Sequence, residues 1–165
     1  MPDVEINKPA LIALDGVVTI PNREPIPAGC PRYEIDEILQ SAGPRPTRQR
    51  MALGALLFGK GPRHLTAEML YEEAIQANVF LSLATVYNTL NQLTDVGVLR
   101  QVSVGSAKTY FDTNVTSHHH FYIESSHELV DVPHSEIVLR DLPDLPEGYE
   151  ISRVDIVVRL KKKSH

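Results

Sequence analysis

Three consecutive histidines, His118, His119 and His120, stand out in a chain with seven in all. What they can do depends on the backbone under them. In an extended strand alternate side chains leave opposite faces, so His118 and His120 share one side and His119 takes the other. No single metal can take all three from a regular strand, and further ligands must come from elsewhere. Imidazole suits iron, zinc, manganese and haem iron, while carboxylates add hard oxygen ligands that favour iron or manganese. The oxygen donors nearest the run are Asp112 before it and Asp131 after it, and His64 stands further upstream. A site joining His64 to Asp112 and His120 would clamp one part of the chain onto another around Fe2+, Mn2+ or Zn2+. The bland alternative is a polar strand edge with no ligand. The one cysteine, Cys30, lies in Gly29-Cys30-Pro31. Proline fixes the backbone after the thiol, so the sulfur could project from a stiff turn as an axial haem ligand. A single cysteine excludes an internal disulfide and a zinc site of four thiolates.

The same histidines could hold zinc with an open position for water, as hydrolytic sites do. The sequence has no helical His-x-x-x-His with an associated Glu, no Gly-rich phosphate loop and no nucleophile elbow. A zinc-dependent hydrolase is therefore the rival reading from another class, and the chain is not expected to be an enzyme.

The elements that must position these donors begin with the stretch Ser82-Leu-Ala-Thr-Val-Tyr-Asn-Thr-Leu-Asn-Gln-Leu93. At helical period Leu83, Val86, Leu90 and Leu93 form one stripe. Ala84, Thr85, Asn88 and Gln92 lie opposite, with Asn91 beside them and Tyr87 on the boundary. Ser82 is a suitable N-cap and Gly97 a suitable left-handed terminator. An outward face of amides, hydroxyls and a phenol, without Lys or Glu, suits base edges and thymine methyls. A plain surface helix is the alternative. Short helices are expected over residues 33–40, from Thr47 to Gly59 with Met51, Ala52, Ala55, Leu56 and Phe58 as apolar positions, and from Thr66 to about Ala77. Val98 to Val104 and Lys108 to Phe111 read as a hairpin. Helices followed by a hairpin describe a winged helix-turn-helix, whose last helix enters the major groove.

The formal charge of −5 excludes a uniformly basic coat, so a DNA contact must be local. No acid lies between Glu37 and Glu68, whereas Arg45, Arg48, Arg50, Lys60 and Arg63 all do. Arg45, Arg48 and Arg50 fall at a helix start, where backbone N–H groups could add to phosphate contacts. After Asp112 the pattern becomes strand-like, with strands expected at His118 to Ile123, Glu128 to Val132 and Ile151 to Leu160. A short amphipathic piece is expected near His134 to Arg140. The fold class is thus α/β (α+β), an N-terminal winged helix-turn-helix domain followed by a small α/β dimerisation domain. The expected divisions are a flexible Pro-rich arm over 1–31, the winged-helix domain over 32–112, the α/β domain over 113–160 and a basic tail over 161–165. The arm holds half of the chain's 12 prolines. A domain of roughly 50 residues scarcely buries an adequate core alone, so a homodimer is expected. Pairing would set two reading helices on a palindromic double-stranded operator. No apolar run approaches the ~20 residues of a membrane helix and no secretory signal opens the chain, so a cytoplasmic location is expected.

Four motifs, Arg45-Pro-Thr-Arg-Gln-Arg50, His64-Leu-Thr-Ala-Glu-Met-Leu-Tyr71, Ser82 to Leu93 and His118-His119-His120, resemble the ferric uptake regulator family in order and spacing. The resemblance spans about residues 33 to 160. It implies a homodimeric winged-helix transcription factor that responds to metal. Tyr87 matches the family's base-contacting tyrosine, and Arg45 a basic residue that reaches into the minor groove. Arg48, Arg50, Thr85, Asn88 and Gln92 complete the expected DNA contacts, with Asn88 in place of a common arginine. His64, Asp112, His120 and Asp131 match the ligands of the regulatory metal. Tyr122 stands where a further histidine is expected, and Phe121 replaces an aspartate of a second site. Cys30-Pro31 followed by the histidine run is similar to the rhizobial, haem-dependent iron response branch. That likeness implies Cys30 as an axial haem ligand and His118, His119 and His120 as a second haem site. Arg32, Tyr33 and Glu34 depart from that branch's haem motif. Implied with the branch are control of iron and haem homeostasis genes by haem or a divalent metal, and contact with haem-synthesis machinery. A peroxide- or manganese-sensing repressor on the same scaffold is the nearer alternative.

Overall fold

A computed structural model describes residues 12–14, 17–19, 36–37, 39–40, 47–105, 108–133, 137, 140 and 142–163. The chain divides into two compact units, one of residues 24–116 and one joining 1–23 to 117–165.

The first unit is built from helices laid against a small sheet. Asp36, Glu37, Leu39 and Gln40 are helical, and Leu39 is buried. Helix α1 spans Arg48–Phe58, α2 Ala67–Gln76 and α3 Leu83–Asp95. Each starts at a hydroxyl that accepts a first-turn N–H: Thr47 from Arg50, Thr66 from Met69 and Ser82 from Thr85. Helix α1 closes at Gly59, whose N–H donates to the Ala55 carbonyl, and a Cβ there would sit 2.5 Å from that same oxygen. The other two end in left-handed turns, Asn78 at φ 56° and Gly97 at φ 74°. Val79 N–H then reaches Ala74 O, and Val98 N–H reaches Leu93 O, which satisfies carbonyls the helices leave open.

Apolar residues from all three helices meet in one core. Of the expected stripe of α3, Val86, Leu90 and Leu93 are fully buried against Leu53, Leu57, Leu65, Leu70 and Phe111, and Leu83 is partly buried against the same core. Helix α1 buries Phe58 as expected and packs Met51 and Leu56 partly against the core, but its most buried leucines are ones the expectation left out. Leu53, Leu57 and Phe58 are buried while Ala55 is exposed. Met-Ala-Leu-Gly-Ala-Leu-Leu-Phe is apolar all round, so its period cannot choose a side, and the larger leucines win the core.

The hairpin strands are β4, Arg100–Val104, and β5, Lys108–Asp112. A two-residue strand β3, His64–Leu65, adds to the other edge of β5, making a three-stranded sheet of order β3-β5-β4 where two strands were expected. Arg63 N–H donates to Thr113 Oγ1 at 2.8 Å and Thr113 N–H to Arg63 O at 3.1 Å, which holds β3 against the end of β5.

In the second unit Ile12–Leu14 (β1) and Val17–Thr19 (β2) pair as an antiparallel hairpin. A separate sheet has the order β7-β6-β8, with β6 over His118–Ile123, β7 over Glu128–Pro133 and β8 over Val157–Leu160. Strand β6 runs antiparallel to β7 and parallel to β8. The last strand is shorter than the expected 151–160, because its pairing with β6 begins only at His120 opposite Val157. Most of the piece expected near His134 to Arg140 lies outside the described residues. Tyr122 is buried, its hydroxyl 2.8 Å from His127 Nδ1 and its ring under the Arg159 guanidinium.

Candidate metal donors and nucleic-acid interface

Strand register, rather than proximity in sequence, assembles the donors within each unit. In the first unit His64 pairs directly with Asp112 across β3 and β5. The His64 Nε2 to Asp112 Oδ2 distance is 3.6 Å, and Asp112 is fully buried. The other carboxylate oxygen, Oδ1, accepts the Asn114 N–H at 2.7 Å, which orients Oδ2 toward the imidazole. Arg100 sits opposite Asp112 on β4, buried, and donates through Nη1 to Thr116 O at 3.0 Å.

In the second unit His120 pairs with Asp131 across β6 and β7. His118, two residues earlier, lies on the same sheet face, its Nε2 3.1 Å from that of His120. Asp131 Oδ1 stands 3.4 Å from His118 Nε2 and 3.9 Å from His120 Nε2. Both imidazoles are buried, whereas the carboxylate is about a third exposed. Donors bound to one cation at about 2.1 Å, with angles of roughly 90–110°, stand about 3.0–3.4 Å apart. Two of the three separations meet that spacing and the third is slightly long, so these residues fit a divalent cation. His119 leaves the opposite face beside Val132 and is likewise buried, so the three histidines do not converge. Among the described residues, His64, Asp112, His118, His120 and Asp131 are side chains that could serve as donors to a divalent cation.

The surface of α3 follows from its burial. Ala84, Asn88 and Asn91 are exposed, Thr85 and Gln92 half-buried, and Tyr87 retains 37% of its surface. Thr89 is buried instead, its hydroxyl donating to Thr85 O at 2.8 Å. Tyr87 donates its hydroxyl to Glu68 Oε1 at 2.5 Å, joining α3 to the first turn of α2. This bond holds the Glu68 carboxyl below its usual range, with the positive charge of Lys108 a smaller contribution there, and raises the Tyr87 phenol above its own. No periodicity in the sequence links residues 68 and 87. Gln49 Nε2 donates to Phe80 O at 2.7 Å and ties the start of α1 to the segment leading into α3.

Arg48 and Arg50 lie in the first turn of α1, Arg48 exposed and Arg50 partly covered. Arg45 and Cys30 lie outside the described residues. The stretch without acids is less basic in space than in sequence. Lys60 and Arg63 both bind the Glu73 carboxylate of α2, Lys60 at 3.0 Å and Arg63 through two nitrogens.

A capped helix with an uncharged outer face, a strand-paired wing and two sets of imidazole and carboxylate donors define a metal-responsive DNA-binding regulator. The family model for the ferric uptake regulator family matches residues 41–159, and the chain belongs to that family. It is a transcription regulator and not an enzyme, in a family that binds operator DNA, typically as dimers. The peroxide-responsive repressor PerR of Staphylococcus epidermidis is 30% identical over 108 residues, covering 64% of this chain and 71% of that protein. Among solved structures, the ferric uptake regulator from Pseudomonas aeruginosa with manganese superposes with a TM-score of 0.60 at 23% identity, covering 78% of this chain and 97% of that one. The Helicobacter pylori ferric uptake regulator gives 0.63 at 16% identity, covering 86% and 95%. Both likenesses concern the fold, a helical DNA-binding region followed by a small α/β sheet domain. No helix among the described residues is long and apolar enough to cross a membrane.

Proposed function

We propose that this regulator binds an operator as a homodimer through α3 and is switched by a divalent cation, Fe2+ or Mn2+, for which these histidines and aspartates are the donors. The observation that carries the metal half is the spacing of His118, His120 and Asp131, which matches ligands of a single ion. Neither set is sufficient alone. Three donors in one unit and two in the other leave a four- to six-coordinate ion incomplete. A cation that binds one state of these donors more tightly than another shifts the population toward it, which is what a switch requires. Ala84, Thr85, Tyr87, Asn88 and Gln92 read base edges, while Arg48 and Arg50, joined by Arg45, hold phosphates.

Support for the dimer comes from the sheet of the second unit. Register places Val130, Phe121 and Val158 in one row across its three strands, with Leu160 beside Ile123. Val130, Val158 and Leu160 are exposed by 37–44% in the single chain. A second copy covering that face would bury apolar area worth ~25 cal/mol per Å2.

The iron and haem version of this reading rests on Cys30 and the histidine run. His118 and His120 are packed against Asp131, and His119 points to the other face, so haem ligation at the run requires the strand to abandon this arrangement. A peroxide-sensing version is favoured by the resemblance to the staphylococcal PerR proteins. One gel-shift series on duplex DNA from upstream of the chain's own gene separates them, run with EDTA, Mn2+, Fe2+, hemin, and Fe2+ followed by peroxide. A shift that needs Mn2+ or Fe2+ is expected. No shift under any condition refutes the reading. Release by hemin with a Soret band that His118→Ala/His119→Ala/His120→Ala abolishes favours the haem version, and release by peroxide with oxidation of His64 or His120 favours the peroxide version.

A further inference from the structure

The Tyr87 hydroxyl is bound where a reading side chain has most to offer. Glu68 and Tyr87 are both exposed, 19 residues apart, and joined at 2.5 Å. An exposed side-chain pair of this kind adds little to stability. Its consequence is chemical. A phenol has one proton to donate and lone pairs that accept. With the proton committed to a carboxylate, Tyr87 presents outward only its apolar ring and an accepting oxygen.

Base edges in the major groove differ in that respect. Guanine O6 and N7, adenine N7 and thymine O4 need a donor, cytosine N4 and adenine N6 offer one, and thymine adds a methyl group. A committed hydroxyl therefore suits thymine methyls and amino groups and leaves guanine unsatisfied. The carboxylate also repels phosphate, a cost in affinity that a residue kept for discrimination can carry. The lowered Glu68 pKa and raised Tyr87 pKa agree with an ionised acceptor and a protonated donor, and Lys108 is the nearby positive charge.

We propose that Glu68 is a specificity-determining positioning residue: by taking the Tyr87 proton as a fixed hydrogen bond, it restricts Tyr87 to apolar and accepting contacts with bases. This rests on α3 being the reading helix. The test is selection from a random-core duplex library in Mn2+ with the full chain, comparing wild type, Glu68→Gln, Glu68→Ala, Tyr87→Phe and Glu68→Ala/Tyr87→Phe. Wild type and Glu68→Gln, which keeps an accepting oxygen, should enrich the same operator. Glu68→Ala frees the phenol to donate and should admit guanine at one position of each half-site, with discrimination there falling about 5- to 100-fold. Tyr87→Phe has no proton to donate and should not admit guanine. The double variant should lose the tolerance that Glu68→Ala gained. An unchanged profile for Glu68→Ala, or a tolerance that persists without the hydroxyl, overturns the role of Glu68 while leaving α3 as the reader. Enrichment of no sequence by wild type overturns both.

Discussion

Removing the charge of Glu73 should loosen the segment that delivers His64. Its carboxylate accepts two hydrogen bonds from Arg63 and one from Lys60, with Arg63 and Glu73 only 16% and 21% exposed and Lys60 59%. Arg63 precedes His64, and three hydrogen bonds join its main chain to Thr113. The clamp therefore anchors the residue that leads into β3. In Glu73→Gln one accepting oxygen survives and the charge does not. Charge-assisted hydrogen bonds contribute ~1.5–3 kcal/mol, and with partial solvent screening and one oxygen retained the loss should be about 1–2 kcal/mol. Lys60 adds less than ~0.5 kcal/mol because its ammonium is mostly in water.

The dependence on pH gives the sharper test. The Arg63 hydrogen bonds hold the Glu73 carboxyl below its ordinary range. A depressed folded pKa contributes stability that is present above the unfolded value, ~4.3, and is lost as pH falls through the folded one. Urea unfolding of the EDTA-treated chain, followed by circular dichroism, should separate wild type from Glu73→Gln at pH 7. The two should converge as pH falls through the depressed pKa of folded Glu73, below which wild type carries a neutral carboxyl of the same shape. Lys60→Ala should match wild type within ~0.5 kcal/mol at both pH values. Equal midpoints at pH 7, or a difference undiminished in acid, would refute the clamp. If β3 is held as described, Glu73→Gln also weakens Mn2+ binding several-fold and Lys60→Ala does not.

Asp131→Asn or His120→Ala should abolish the thermal stabilisation that Mn2+ confers, which for a ligand at 100 times its Kd amounts to ~2.7 kcal/mol; a wild-type shift on Mn2+ titration would remove these residues from the donor set. Ser82→Ala removes the cap of α3 and should cost ~1 kcal/mol in urea unfolding, with Ser82→Asp restoring most of it. Leu90→Ala, fully buried between the helices, should cost ~2–5 kcal/mol by the same measurement. Arg48→Ala should weaken all duplexes alike and reduce the slope of log K against log salt by about 1, without changing the operator preferred.

Helix ends and the stripe of α3 could be read from the sequence because they are local. Thr47, Thr66 and Ser82 act within three residues of themselves, and Val86, Leu90 and Leu93 repeat at the period of a helix. The separation of His118 and His120 from His119 is equally local, since it follows from the pleat alone. What could not be read depends on register between distant segments. A two-residue strand such as β3 has no periodicity, yet its pairing puts His64 opposite Asp112. Glu73 lies outside the stretch without acids that drew attention to Lys60 and Arg63, and only the fold shows that it neutralises both. The Glu68 to Tyr87 bond joins two helices whose packing the sequence does not state.

The two donor sets are made by one device, a histidine and an aspartate as direct cross-strand neighbours, His64 with Asp112 and His120 with Asp131. Side chains alternate with period two along a strand, so a slip of one residue would send the histidine to the opposite face and dismantle either pair. Cation affinity is thus tied to register, and a bound cation in turn stabilises the registered state by its differential affinity. Strand β3 has two residues to resist a slip and β6 has six. The short strand is accordingly the one fixed from outside by the main-chain bonds of Arg63 to Thr113 and by its side-chain bonds to Glu73. Metal-dependent protection from hydrogen exchange should therefore be greater for Leu65 and Phe111, the next cross-strand pair, than for the Tyr122 to Leu129 pair of the longer strands. Equal protection would show that register at β3 is set without the cation.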